Sequence, residues 1–92
     1  LKRYYSHYTF IYPNTLLEKT VFELNEDGFI ERYFPFDKEI ANTEFHSGIL
    51  IFIPEALGEN QDILINKLAT ENEQLALLLS NGTDYLVRSF RV

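Results

Sequence analysis

The run Ile49-Leu50-Ile51-Phe52-Ile53 limits the possible folds more than any other segment of this chain. Successive side chains of an extended strand point to opposite faces, so both faces of this run are apolar and both need cover. It therefore belongs at the centre of a sandwich or beneath a helix, not on a half-solvated sheet. The run is also far shorter than the ~20 apolar residues of a membrane-spanning helix.

The rest of the chain can supply that cover. Lys2 to Tyr12 is aromatic and β-branched and ends at Pro13-Asn14, which is turn chemistry. Leu17 to Leu24 and Phe29 to Phe36 flank Asn25-Glu26-Asp27-Gly28, a hairpin turn in which Gly takes a positive φ cheaply. Asp37 to Asn42 is polar and reads as a loop, and Phe45 to Ile53 is the next strand. After Pro54 the period changes. Ile65, Leu68, Ala69, Asn72, Leu75, Ala76 and Leu79 fall on one helical stripe within 61–80. Asn60 or Asp62 can cap this helix, Glu59 and Asp62 suit its dipole, and Asn81-Gly82 stops it. Thr83 to Val92 returns to strand.

The order predicts one α+β domain over residues 1–92. The expected architecture is a mostly antiparallel β-sandwich or strongly bent sheet of about five or six strands, with one long helix near the C-terminus. Residues 1–54 form the β-rich part, 55–82 a helical bridge and 83–92 a closing strand.

Charge and composition exclude several classes. With 8 basic and 14 acidic residues the net charge is −6, which opposes a nucleic-acid binder or a polybasic membrane anchor. The cations Lys2, Arg3, Arg88 and Arg91 lie near the chain ends and read as solvated sheet edges. The chain has no cysteine, so disulfides, thiolate catalysis and cysteine-based zinc sites are excluded. No segment reads as a signal peptide, and the expected location is cytoplasmic.

Candidate chemistry is sparse. His7 and His46 are the only histidines, and neither has a second histidine at ligand spacing. Ser6-His7 and His46-Ser47 are strand neighbours that point to opposite faces. Glu26-Asp27 lacks the alternating ligands of a calcium loop. Glu55, Glu59 and Asp62 read as helix N-terminal acids. The expectation is no catalytic residue, no metal and no cofactor. Tyr4, Tyr5, Tyr8 and Tyr12 read as sheet core and rim, with a recognition surface as the alternative.

Two segments carry a family resemblance. Val21-Phe22-Glu23-Leu24-Asn25-Glu26-Asp27-Gly28-Phe29-Ile30 matches a strand, an acidic Asp-Gly turn and a returning strand. Phe45-His46-Ser47-Gly48-Ile49-Leu50-Ile51-Phe52-Ile53-Pro54 matches a short apolar strand ending at proline. With the strand before them, residues 2–54 resemble the N-terminal composite β-domain of amidohydrolase-superfamily enzymes, the chlorohydrolase and cytosine-deaminase-like metal-dependent hydrolases. In those enzymes the apolar strand leads through Pro-Gly into a barrel that opens with a metal-binding His-x-His. Here Pro54 is followed by Glu55, there is no His-x-His, and 55–92 is too short for a barrel of ~250 residues.

The resemblance therefore implies a standalone, non-catalytic relative acting through protein–protein contact, including a homodimer. The expected interface uses aromatic strand residues such as Tyr5 and Phe10, or the helix face around Leu75 and Leu78. The alternatives are an accessory domain that docks onto a separately encoded amidohydrolase barrel, or a small-ligand-binding module.

Overall fold

The computed structural model describes residues 1–57 and 60–92. Strands β1 (Lys2–Ile11), β2 (Thr15–Leu24), β3 (Ile30–Pro35), β4 (Thr43–Pro54) and β5 (Tyr85–Phe90) form one sheet in the order β3-β2-β1-β4-β5. Strands β1 to β3 are an antiparallel meander, whereas β4 runs parallel to β1 and β5 parallel to β4. The sheet is thus mixed, which corrects the expectation of a mostly antiparallel one. The reason lies in the connections. Residues 36–42 carry the chain from the edge strand β3 to the far side of β1, and β4 reaches β5 through the helical crossover that parallel neighbours require.

That crossover holds two short helices, α1 (Gln61–Glu71) and α2 (Glu73–Ser80), in place of the single long helix expected over 61–80. Asn72 separates them in an extended conformation, φ −136° and ψ 109°. Its Oδ1 accepts from Leu75 N at 2.9 Å, and its Nδ2 donates to Asn14 Oδ1 at 2.6 Å. A short amide side chain competes for the backbone N–H groups of the next turn, so it starts a new helix rather than continuing the old one. The apolar stripe passes through this break because Leu68 and Leu75 still face the sheet. Asn60 caps α1 as expected, accepting from Ile63 N at 3.2 Å. Gly82 ends α2 at φ 78°. Glu59, expected to favour the helix dipole, lies outside the described residues.

Two buried clusters lie on opposite faces of the sheet. On the helix side Phe10, Ile49, Ile51 and Ile53 pack with Ile65, Leu68 and Leu75. On the other side Tyr4, Phe22, Leu24, Leu50 and Phe52 pack together, with Ile30, Leu86 and Phe90 at their margin. The run Ile49 to Ile53 is buried throughout and feeds both clusters, as its composition requires.

Among the described residues no helix lies over the second cluster; the sheet covers it by folding over itself. Tyr4 pairs with Glu44 at the start of β4, yet its ring lies 5.8 Å from that of Phe52. Arg88 pairs with Phe52 and reaches back to Glu44 at 2.8 Å. A straight strand would separate positions 44 and 52 by about 26 Å at its usual rise, so the strands bend sharply between them.

The bend has three visible loci. The β1–β4 register shifts between Ser6↔His46 and Tyr8↔Ile49, giving β4 one extra residue at Ser47-Gly48. In β2, Lys19 adopts a left-handed φ of 49° between the pairs Ser6↔Thr20 and Tyr8↔Glu18. In β1 the inward parity switches at the same level: Tyr4 joins the concave cluster, while Tyr8 and Phe10 join the helix side. Far from the bend, Phe29 bridges Arg91 and Arg91 N donates to Gly28 O at 2.8 Å, so the two edges of the sheet touch. That contact limits the exposed edge.

Gly48 is required at the bend. A Cβ built on it would lie 2.1 Å from Asp84 O, the same carbonyl that accepts from Ile49 N at 2.9 Å and starts the β4–β5 ladder. Ser6 Oγ fastens the other side, donating to Gly48 O at 2.6 Å. Gly48→Ala is expected to lower unfolding stability by at least about 2 kcal/mol, because backbone rather than a mobile side chain must yield; a urea titration followed by circular dichroism measures it. Leu75→Ala, which empties a fully buried position between helix and sheet, is expected to cost about 2–5 kcal/mol in the same assay.

Candidate interaction surface

Among the described residues, the half of the sheet that precedes the bend carries no helix on its convex side. Its cross-strand register aligns Phe45, Tyr5, Val21 and Phe34 in one row over β4, β1, β2 and β3. The Tyr5 ring lies 5.7 Å from Phe45 and 4.5 Å from Phe36. Phe36 opens the 36–42 connection, which straps across this side. Phe36 N donates to Lys19 O at 2.8 Å, and Arg3 Nη1 donates to Ala41 O at 2.7 Å. Val21 is buried in the row, Tyr5, Phe34 and Phe36 are half-buried, and Phe45 remains 51% exposed.

The neighbouring row is charged. Arg3, Glu23 and Arg32 are cross-strand partners on β1, β2 and β3. Arg3 Nε donates to Glu23 Oε2 at 2.7 Å, and Arg32 Nε donates to Glu23 Oε1. The Arg32 guanidinium also sits 5.1 Å over the Phe34 ring. The Glu23 side chain is only 3% exposed. The hydrogen bond from Arg32, followed by that from Arg3, holds its carboxyl below the usual carboxylate range, and burial opposes them only in part.

Past the bend, the same convex side runs into a groove beside α2. Tyr8, Leu16, Glu18, Gln74, Leu77 and Leu78 line a pocket of about 430 Å³ there. Leu77 on its rim is 61% exposed.

The four residues expected at an interface thus separate into two pairs. Tyr5 lies half-buried in the aromatic row, and Leu78 lies half-buried in the groove. Phe10 and Leu75 are fully buried in the helix–sheet core and meet no partner while the chain stays folded. Phe10 shares β1 with Tyr5, but the parity of that strand turns it under the helices. Phe45 and Leu77 are the exposed members of these two surfaces. A lone Phe among Glu44, His46 and Ser47, and a Leu off the helical stripe, were the available signals.

The other candidate groups are dispersed. His7 is exposed with its ring 4.7 Å from Tyr8, and His46 is half-buried with no hydrogen-bond partner for Nε2 among the described residues. Ser6 is buried in its bond to Gly48. Glu26 and Asp27 are exposed on the hairpin turn, whose backbone is held by Asn25 Oδ1. Glu55 pairs with Arg91 at 3.2 Å, and Asp62 accepts from Tyr85 Oη at 3.3 Å. Among the described residues no group of three metal-ligating side chains converges, and no helix is long and apolar enough to cross a membrane. Comparison with family models, with curated proteins and with solved structures finds no match to this chain.

The Glu23 cluster generates a pH prediction. The carboxyl of Glu23 is lowered in the folded state, so its contribution is fully present above the unfolded carboxylate pKa and is lost as pH falls through the folded value. Wild-type stability is expected to decline on acidification below about pH 5, and Glu23→Gln is expected to be less stable at neutral pH and to show a shallower decline. Urea midpoints measured from neutral to acidic pH test this; parallel profiles for the two proteins would remove Glu23 from the account.

Proposed function

We propose that this protein is a non-catalytic interaction module that self-associates through the convex side of its bent sheet. One observation carries the reading. Phe45, Tyr5 and Phe36 on one side of the bend, and Tyr8, Leu77 and Leu78 on the other, place aromatic and leucine side chains along the convex side of the sheet. Burying large aromatic and leucine side chains against a partner is the usual source of interface free energy. A second copy is the simplest partner, because a two-fold contact presents the same row to itself.

The Arg3–Glu23–Arg32 row supports the same reading. It holds β1, β2 and β3 in register directly beside the aromatic row, so that surface is rigid before any partner arrives. The resemblance of residues 2–54 to the amidohydrolase composite domain, without the His-x-His that opens the barrel in that family, fits a scaffold role. Docking onto a separately encoded barrel is the alternative, and it would use the same surface.

Sedimentation velocity at micromolar concentrations tests the proposal. The wild type is expected to be dimeric. Phe45→Glu and Leu77→Glu, which alter exposed positions, are expected to weaken the dimer by at least about tenfold, equivalent to 1.4 kcal/mol, with unchanged circular dichroism. A wild type that stays monomeric up to about 100 μM, where contacts with Kd weaker than that are negligible, would refute self-association.

A further inference from the structure

Beyond self-association, we propose that the groove beside α2 captures an extended peptide of a partner protein. The peptide adds to the free edge of β2 and carries a basic and an apolar residue two positions apart. Strand β2 is paired on both sides only from Thr20 to Leu24, because β3 stops at the pair Thr20↔Pro35. Thr15 to Glu18 pair with β1 alone. Apart from that ladder, the hydrogen bond to their backbone among the described residues comes from Thr20 Oγ1 to Glu18 O, at 2.9 Å. Alternate residues of such an edge turn N–H and C=O groups outward, where another extended backbone pairs with them in series.

The groove follows this edge. Asn72 Nδ2 donates to Asn14 Oδ1 at 2.6 Å, which sets the start of α2 against the β1–β2 turn. Gln74, Leu77 and Leu78, three and four residues apart in sequence, share one face of α2. With Tyr8 of β1 and with Leu16 and Glu18 of β2 they line the pocket of about 430 Å³. At the far end Phe36 N donates to Lys19 O at 2.8 Å, and the 36–42 connection turns away across the sheet. The open span between these ends, 15–18, is about 13 Å long at the usual strand rise. That is the length of a short peptide.

The side chains along the edge define what the peptide carries. Leu16 packs on the helix side of the sheet, and Glu18, two residues on, lines the same groove. An added strand has the same period, so its residues opposite Leu16 and Glu18 are also two apart. One of them meets Tyr8, Leu16, Leu77 and Leu78, which cover an apolar side chain. The other meets Glu18, which is exposed and makes no ion pair among the described residues. An unpaired carboxylate on a chain of net charge −6 selects Lys or Arg. Backbone pairing gives such a complex its affinity, and the alternate side chains give it specificity. The site uses no residue of the aromatic row, so it does not depend on self-association. Leu77 is shared, and a bound peptide competes there with a second copy.

The capped peptide acetyl-Thr-Lys-Thr-Leu-Thr-Lys-Thr-amide presents the required spacing in both chain directions. It is titrated into the full chain, and into Phe45→Glu so that self-association does not mask the groove, with amide chemical shifts as the readout. Saturable shifts at Thr15 to Lys19 and at Gln74 to Leu78 support the proposal. Replacing both peptide Lys by Glu, or N-methylating the Leu amide and its neighbours, is expected to weaken binding at least about tenfold. Glu18→Lys, at an exposed position, is expected to reverse the preference between the Lys and Glu peptides. Absence of saturation up to about 5 mM peptide, equal binding of the N-methylated peptide, or an unchanged preference in Glu18→Lys would each overturn it.

Discussion

The close approach of two backbones at Gly48 is the constraint on which the rest of the structure depends. The Asp84 carbonyl occupies the place where any other residue would carry its Cβ, and from there it takes the Ile49 amide and starts the pairing of β5 with β4. The bulge at Ser47-Gly48 lets β4 turn while Lys19 turns β2 beside it. Once the strands turn together, the sheet lies against itself. A single sheet with two short helices then covers both faces of the apolar run, which would otherwise require a second sheet.

The bend also determines what the surface offers. On its concave side, aromatic rings from both halves meet: Phe52 lies within 5.5–6.2 Å of Phe22, Tyr4 and Phe90. On its convex side, only the half beyond the bend receives the helices. The other half keeps an aromatic row beside a buried carboxylate held by two arginines. Such a cluster adds little net stability once desolvation is counted, but it opposes any slip in register, because a slip would leave Glu23 buried and unpaired. Rigidity of the exposed surface follows from the fold in this way.

Much of the strand plan was legible in the sequence. Alternation and turn residues located β1 to β4 within a few positions, and Asn25 to Gly28 forms the expected turn, with Gly28 at φ 91°. Asn60 and Gly82 bound the helical segment as their chemistry predicts. Periodicity misled at one place, for a local reason. Asn72 sat on the apolar stripe, so the pattern continued through a residue whose side chain caps a new helix. Tyr4 lies on the concave side, whereas Tyr8 and Tyr12 lie under the helices. The parity change at His7 leaves no mark in β1 itself; it comes from the extra residue in β4.

By itself the sequence determined that Ile49 to Ile53 is a doubly covered strand, that the domain is α+β, and where most elements start and stop. These are local matters, decided by side-chain period and by the φ values that Gly, Pro and Asn favour. Tertiary structure alone decided that the sheet is mixed and folds over. It also decided that Phe10 and Leu75 are core while Phe45 and Leu77 are surface, and that Arg88 reaches back to Glu44. Each depends on strand register and on the path of the connections across the sheet. Those are set by contacts between residues tens of positions apart, which no local pattern encodes.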